Sequence, residues 1–259
     1  MGVPATPPVL TVHLLGNMRV SVNDAPIDSW SSRRGRSLFA YLLTHRDAWQ
    51  QREVLMEVFW PESRPEAARN SLNVAMHGLR QILRTATNVP VIVFVGTAYR
   101  IHPDVCVWVD VEEFDRRVED GRRHEAAGDI DDAMRNYESA AALCRGTFLA
   151  DYPYEDWAVR LRERLRLARL DTLDRLSSLY YGLGRYAAAS TLCRQIIDDD
   201  PCREDAHRQL MRCYSRQGQP HLALLQYRAC VSVLEEELGI QPSAATVEVR
   251  DRMMHHDPV

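Results

Sequence analysis

Arg69, Asn73, His77, Arg80 and Arg84 recur at three- and four-residue spacing in PEAARNSLNVAMHGLRQILR, residues 65–84, with Asn70 at the edge of the same arc. At about 100° per residue this spacing gathers them on one face of a helix. Ala68, Leu72, Ala75, Leu79, Ile82 and Leu83 fall on the other face, which needs a core to rest on. Arg and Asn carry planar hydrogen-bonding groups that match guanine and adenine edges in a DNA major groove. Glu66, at the start, is the one acid in the stretch. A solvated amphipathic helix has a similar pattern, so the choice depends on what surrounds it.

Arg33, Arg34 and Arg36 cluster at the start of a second helical stretch, about 34–46, and Arg52 opens a third, 52–59. Cations are disfavoured at helix N-termini by the helix dipole. Cations placed against that preference point to phosphate partners, although Arg36 also suits a structural ion pair. Phosphate contacts position a protein, whereas base contacts specify sequence. The expectation is that Arg69, Asn70, Asn73 and His77 face bases. Arg80, Arg33, Arg34, Arg52 and Thr97 then face phosphates. Ion pairs of Arg69 and Arg80 with Glu66 or other acids are the competing reading.

These side chains need a scaffold, and its elements are legible. Residues 10–27 alternate loosely, with turn chemistry at Gly16-Asn17 and Asn23-Asp24, and predict two or three short strands. Ser31-Ser32 offers an N-cap before the helix bearing Leu38, Leu42 and Leu43. Val54, Leu55, Val58 and Phe59 make the short helix apolar on one side, and Trp60-Pro61 stops it. The Arg/Asn helix is the third. Val89–Val95, Gly96-Thr97 and Tyr99–Ile101 then read as a β-hairpin. Strands, three helices and a hairpin are the order of a winged helix-turn-helix, whose last helix enters the major groove.

From Val109 onward the pattern is all-helical and repeats. Gly128, Gly184 and Gly218 each have Ala five residues on (Ala133, Ala189, Ala223) and a packing residue nine on (Tyr137, Cys193, Tyr227). Gly184 and Gly218 are 34 residues apart, the tetratricopeptide (TPR) period. The longer interval from Gly128 accommodates a long helix, 155–182. Another is expected over 219–238, ended by Gly239 and Pro242. Tyr152, Tyr154 and Trp157, in a connection, are expected to plug the core.

Charge divides the chain. Residues 31–86 hold nine Arg against five acids, whereas 104–156 hold six Arg against fifteen acids, so the two parts should meet different partners. The acid-rich stretch 110–132 is either a protein-binding face or a solvated surface. All 32 basic residues are Arg, which excludes a phosphate-loop, Schiff-base or kinase lysine. No catalytic motif appears, and neither an enzyme nor a cofactor is expected. Asp198-Asp199-Asp200 reads as a solvated turn rather than a metal site, and His255-His256 as part of a tail. MGVPATPPVL does not resemble a signal peptide. No run is long and apolar enough to span a membrane. The six cysteines show no C-x-x-C pair and read as reduced thiols, so a cytoplasmic location is expected.

The segments LLGNMRVSVNDAPI, RGRSLFAYLL, LMEVFWPESRPEAARNSLNVAMHGLR and VDVEEF resemble the OmpR-type DNA-binding domain of the SARP regulators. LGIQPSAATVEVRDRM resembles the end of the bacterial transcriptional activation domain (BTAD) that follows it in that family. The resemblance implies a mainly α fold with a small β part: a winged helix over 9–106, then a TPR-like all-α domain over 107–252, with tails at 1–8 and 253–259. It further implies a cytoplasmic, promoter-binding transcriptional activator without enzymatic activity. RNA polymerase and a second copy on direct repeats would be its partners, and a secondary-metabolite gene cluster its target. One departure is visible. Ala98-Tyr99 stands where many relatives have Gly-Tyr, so the wing turn should use Gly96 instead. The reading from a different class is a TPR-type adaptor whose winged domain does not bind DNA specifically.

Overall fold

In the computed structural model, which describes residues 8–255, the expected early strands are β1 (Val9–His13), β2 (Arg19–Val22) and β3 (Ala25–Pro26). Asn23 and Asp24 sit at φ 48° and 65°, the two-residue left-handed loop that suits a hairpin's twist. Leu10 and Val12 of β1 pair antiparallel with Val22 and Val20 of β2, and all four are buried. Three helices follow: α1 (Arg33–Thr44), α2 (Arg52–Phe59), entered through the two-residue strand β4 (Gln50–Gln51), and α3 (Pro65–Ala86). Ser32 caps α1, its Oγ accepting from Gly35 N at 2.9 Å. Leu38, Phe39, Leu42 and Leu43 of α1, Leu55 and Phe59 of α2, and Leu72, Leu79 and Leu83 of α3 are all buried.

The wing is β5 (Ile92–Val95) and β6 (Ala98–Ile101), with β4 on the other side of β6. Gly96, at φ 62°, takes the left-handed turn position, and Ala98 sits in ordinary strand backbone. The Ala98 departure therefore carries no strain.

One strand was not expected. β7 (Cys106–Val109) runs parallel to β1, pairing Leu10 with Val107 and Val12 with Val109, and gives the sheet order β3-β2-β1-β7. The described residues form two compact units, and neither is one continuous stretch. The first runs to Asp115 and also takes in Leu143–Leu165; the second comprises Arg116–Ala142 and the chain from Arg166 onward.

Leu143–Leu165 is bound into the first unit by main-chain and side-chain contacts. Leu149 N donates to Leu14 O at 2.8 Å, and Asp151 accepts from Met18 N at 3.1 Å. Arg162 donates to the carbonyls of Phe148 (3.1 Å) and Tyr152 (2.9 Å). The Trp157 ring meets Tyr41 edge-on at 5.3 Å and lies 6.4 Å from Phe59. Tyr152 and Trp157 are thus the core plugs expected. Tyr154, at 93% exposure, is not.

The second unit is helical: α4 (Asp110–Ala127, whose first residues belong to the first unit), α5 (Ile130–Leu143, whose last residue does), α6 (Val159–Gly182, which lies in the first unit up to Leu165), α7 (Tyr186–Asp199), α8 (Glu204–Arg216), α9 (Pro220–Leu238) and α10 (Ala244–Met254). The helix expected from 155 starts instead at Val159, after one 3-10 turn over Asp156–Ala158. Gly128, Gly184 and Gly218 all have positive φ, between helix partners whose Ala133, Ala189 and Ala223 are fully buried. That is the repeat read from spacing. On α4, a Cβ at Gly121 would lie 2.5 Å from the Tyr137 ring, so only glycine permits this approach of α4 and α5. The Tyr137 hydroxyl donates to Glu125 at 2.7 Å, and burial raises its pKa.

The acid-rich stretch is largely engaged. Asp120 pairs with Arg116 (3.1 Å) and Arg123 (2.5 Å), and Asp132 with Arg135. Asp110 is buried and accepts from Leu14 N and Leu15 N at 2.8 and 2.9 Å. Burial pushes its carboxyl up to about 6 despite those bonds. Residues 1–7 of the expected N-terminal tail and 256–259 of the C-terminal one, including His256, lie outside the described residues; Met253 is buried in α10.

Candidate nucleic-acid interface

Helix α3 divides its sides as its period requires. Ala68, Leu72, Ala75, Met76, Leu79 and Leu83 are buried, and Arg69, Asn70, Asn73 and His77 are exposed. Pro65 stands in the first turn, where its missing N–H costs nothing. Arg69 makes no hydrogen bond or ion pair among the described residues. A backbone hydrogen bond and the bond from Arg52 hold the Glu53 carboxyl below its usual value, with the Arg69 charge a smaller contributor.

Sequence reading passed over one residue on this face. Val74 lies one turn beyond Asn70 and is 73% exposed, on the arc that also carries Asn73 and His77. A bare isopropyl group there is poorly placed for folding and well suited to contact a thymine methyl. The helical wheel contains this signal, because position 74 lies about 40° from Asn70 and about 60° from His77, on the same arc. Asn70, Val74, His77 and Gln81 line one side of an open cleft of about 630 Å³, with Ser31, Arg34 and Trp60 opposite. No acid lines it.

The cations expected at phosphates are placed less uniformly. Arg80 is half-buried, its guanidinium 5.9 Å from the Tyr99 ring centre, which links α3 to the wing. Arg34 is exposed at the cleft edge, donates to Phe59 O and lies over the Trp60 ring. Arg33 is drawn the other way. It donates to Asp151 O at 2.7 Å and sits over Tyr152 at 4.9 Å. Arg36 makes the structural pair considered from sequence, with Asp151 at 3.1 Å. Arg52 bonds Glu53 at 3.0 Å, and its backbone N–H donates to Thr97 O. Thr97 donates its hydroxyl to Gln51 at 3.0 Å. Arg52 and Thr97 thus meet where the wing turn joins α2, whereas Arg33 stands apart with the 143–165 segment.

The wing tip carries no charge between Ile92 and Tyr99, and Phe94 and Val95 are exposed on it. Phe94 packs against Tyr99, ring centres 4.5 Å apart and planes tilted by 37°. The polar and cationic groups available to DNA therefore concentrate on α3, the cleft beside it and the base of the wing.

A winged helix with a polar, acid-poor third helix, continued in the same chain by a TPR-like helical unit, defines the class of protein. Residues 109–254 match the family model described as "Bacterial transcriptional activator domain", and residues 30–101 that described as "Transcriptional regulatory protein, C terminal". The chain belongs to the bacterial transcriptional activator domain family, with an OmpR-type winged helix preceding that domain. It is 26% identical over 258 residues to the transcriptional regulatory protein EmbR of Mycobacterium tuberculosis, covering 96% of this chain and 64% of the relative. The regulatory protein DnrI of Streptomyces peucetius is 24% identical over 259 residues, with 96% and 93% covered. The regulatory protein AfsR of Streptomyces griseus is 26% identical over 255 residues, with 98% and 26% covered. This chain therefore spans about two thirds of EmbR and about a quarter of AfsR. The solved structure of M. tuberculosis EmbR in complex with a low-affinity phosphopeptide shares the fold, with a TM-score of 0.83 at 23% identity over 97% of this chain and 66% of that one. No helix among the described residues is long and apolar enough to cross a membrane.

Proposed function

We propose that the protein is a sequence-specific DNA-binding transcriptional activator, docked on promoter DNA by its winged helix. The observation that carries this reading is the exposed, acid-free face of Asn70, Asn73, Val74 and His77 on α3. Asn reads adenine bidentately, Val packs on a thymine methyl, and His can donate to or accept from a base edge. Arg69, at the rim of that face, reaches a guanine or an adjacent phosphate. Arg34, Arg80, Arg52 and Thr97 hold the backbone. Arg33 divides its donors between a phosphate and the Asp151 carbonyl.

The TPR-like unit supplies the protein contacts of an activator, with RNA polymerase and a second copy on a direct repeat as partners. The naming of EmbR, DnrI and AfsR as regulators supports this role. The resemblance to the SARP regulators further implies a cytoplasmic, non-enzymatic protein whose targets include a secondary-metabolite gene cluster.

The test is a binding titration on DNA from upstream of its own and neighbouring genes, with random DNA as competitor and salt varied. A specific reader retains its site against competitor while log K falls linearly with log salt. Equal binding to specific and random DNA at every salt overturns the proposal in favour of the protein-interaction adaptor.

A further inference from the structure

The tip of the wing has a composition unlike that of the surface beside it. Val95 is 63% exposed and Phe94 41%, and no charged residue stands between Ile92 and Tyr99. The Thr97 hydroxyl is engaged by Gln51, and Gly96, at φ 62°, adds no side chain. What the tip offers outward is an isopropyl group and part of a phenyl ring. The tip is also held firmly. Phe94 pairs with Tyr99 across the hairpin, and Thr97 O accepts the N–H of Arg52, the first residue of α2, at 2.9 Å. Arg80 of α3 lies 5.9 Å from the centre of the same Tyr99 ring. The wing is thus braced against both α2 and α3.

An isopropyl group left in water forgoes the stabilisation that burial would give. The duplex that α3 would read supplies a place to bury it. A minor groove is about 6 Å wide and about 7.5 Å deep. The strands of a two-stranded ribbon lie about 4.8 Å apart, and this turn stands two residues, or ~7 Å, beyond the Phe94–Tyr99 pair. Such a tip matches the depth of the groove and, with its side chains, enters only if the groove widens. Arg52 and Arg80 flank it and suit the phosphates along the rims. Readers of narrow A-tract grooves insert cationic side chains, and this tip has none to insert. Apolar side chains act there as wedges between base steps, and pyrimidine–purine steps yield most readily. We infer that Val95, supported by Phe94, wedges into the minor groove beside the α3 site, opens a pyrimidine–purine step and bends the duplex. The inference rests on the DNA-docking reading above. It adds a sequence preference at a step that no protein group hydrogen-bonds.

The test measures, by energy transfer between end labels, the bend of duplexes saturated with the full chain. The duplexes are the tightest-bound upstream fragment and a random sequence. A bend of at least about 20° is expected on the upstream fragment. Val95→Ser should lose most of it and weaken binding about tenfold, whereas Val95→Leu should keep both. Neither change alters a charge, so the salt dependence should stay the same. Replacing the flanking pyrimidine–purine step by a stiff A-tract step should weaken the wild type about tenfold and Val95→Ser hardly at all. Unliganded melting curves, with retained discrimination at the α3 bases, show that the variants fold. A straight duplex under preferentially bound wild type, or a bend unchanged in Val95→Ser, overturns the wedge and leaves the α3 reading in place. Loss of paired loading of two copies in Val95→Ser, with the bend unchanged, overturns it in favour of a contact between copies. Equal binding to both duplexes with a Val95-dependent bend removes the α3 reading alone, and no DNA binding at all removes both.

Discussion

Trp157 Nε1 donates to Ser37 Oγ at 3.2 Å, joining residues 120 positions apart in sequence and tying the 143–165 segment to α1. The same indole packs on Tyr41, Phe59 and Phe148. Trp157→Ala should destabilise the first unit by about 2–3 kcal/mol, less than the ~3–5 kcal/mol typical of a fully buried tryptophan because the ring is half-buried. Trp157→Phe should cost about 1 kcal/mol through the lost hydrogen bond. Denaturant unfolding of both variants checks this. Wild-type stability in Trp157→Ala would mean that the segment adds nothing to the unit.

Asn73→Ala and Arg69→Ala should each remove about 1–3 kcal/mol of specific DNA binding, and Arg34→Ala should weaken all sequences alike. Val74→Ala should lose preference at a thymine position while leaving the salt dependence unchanged, since no charge is altered. Competition titrations on a base-substituted site series separate these effects. An identical response of specific and random DNA to Asn73, Arg69 and Arg34 substitution would remove the assignment of base readers.

Gly121→Ala should destabilise the second unit although alanine is the better helix former. The gain in propensity is about 1 kcal/mol. The new methyl meets the fully buried Tyr137 ring, which Glu125 holds by its hydroxyl, and overpacking of this kind costs about 1–3 kcal/mol. The balance is a net loss, read as a lower melting temperature. Adding Tyr137→Phe, which frees the ring from Glu125, should recover part of it.

Asp110 should make stability depend on pH in a direction opposite to that of an ordinary paired carboxylate. Its folded value of about 6 stands above the ordinary aspartate value of 3.8, so the fold favours the protonated acid. That stabilisation is complete below 3.8 and is lost as pH rises through about 6. The loss amounts to about 2–3 kcal/mol by pH 7. His13, 3.7 Å away, titrates in the other sense, because burial and Arg145 lower its pKa. Comparison with Asp110→Asn isolates the carboxyl: the wild-type-minus-variant stability difference should shrink between about pH 4 and pH 7. A difference constant with pH would refute the assignment.

Local order was largely legible in the sequence. The α3 face, the Asn23-Asp24 and Gly96 turns, and the Gly–Ala spacing of the helical unit each rest on contacts a few residues apart, which periodicity and turn chemistry record. The parallel pairing of β7 with β1 and the docking of Trp157 join residues about a hundred apart, and no local pattern encodes them. Tyr154 misled for a related reason: its type is that of a core plug, but Tyr152 and Trp157 take the two seats available. At the candidate interface, residue type identified the polar face. It could not foresee that Asp151 and Tyr152, far along the chain, would also engage Arg33, and attention to polar groups passed over Val74.

The discontinuous first unit sets an order of folding during synthesis. Chains emerge from the ribosome N-terminus first, at about 5–20 residues per second, and domains generally fold as units. Here the winged helix lacks Asp151 and Trp157 until α4 and α5 have been made. The unit that carries α3 is thus completed only after the first helical pair of the following unit has left the ribosome. A nascent chain stalled before residue 143 would hold every candidate base-reading side chain on an unfinished scaffold.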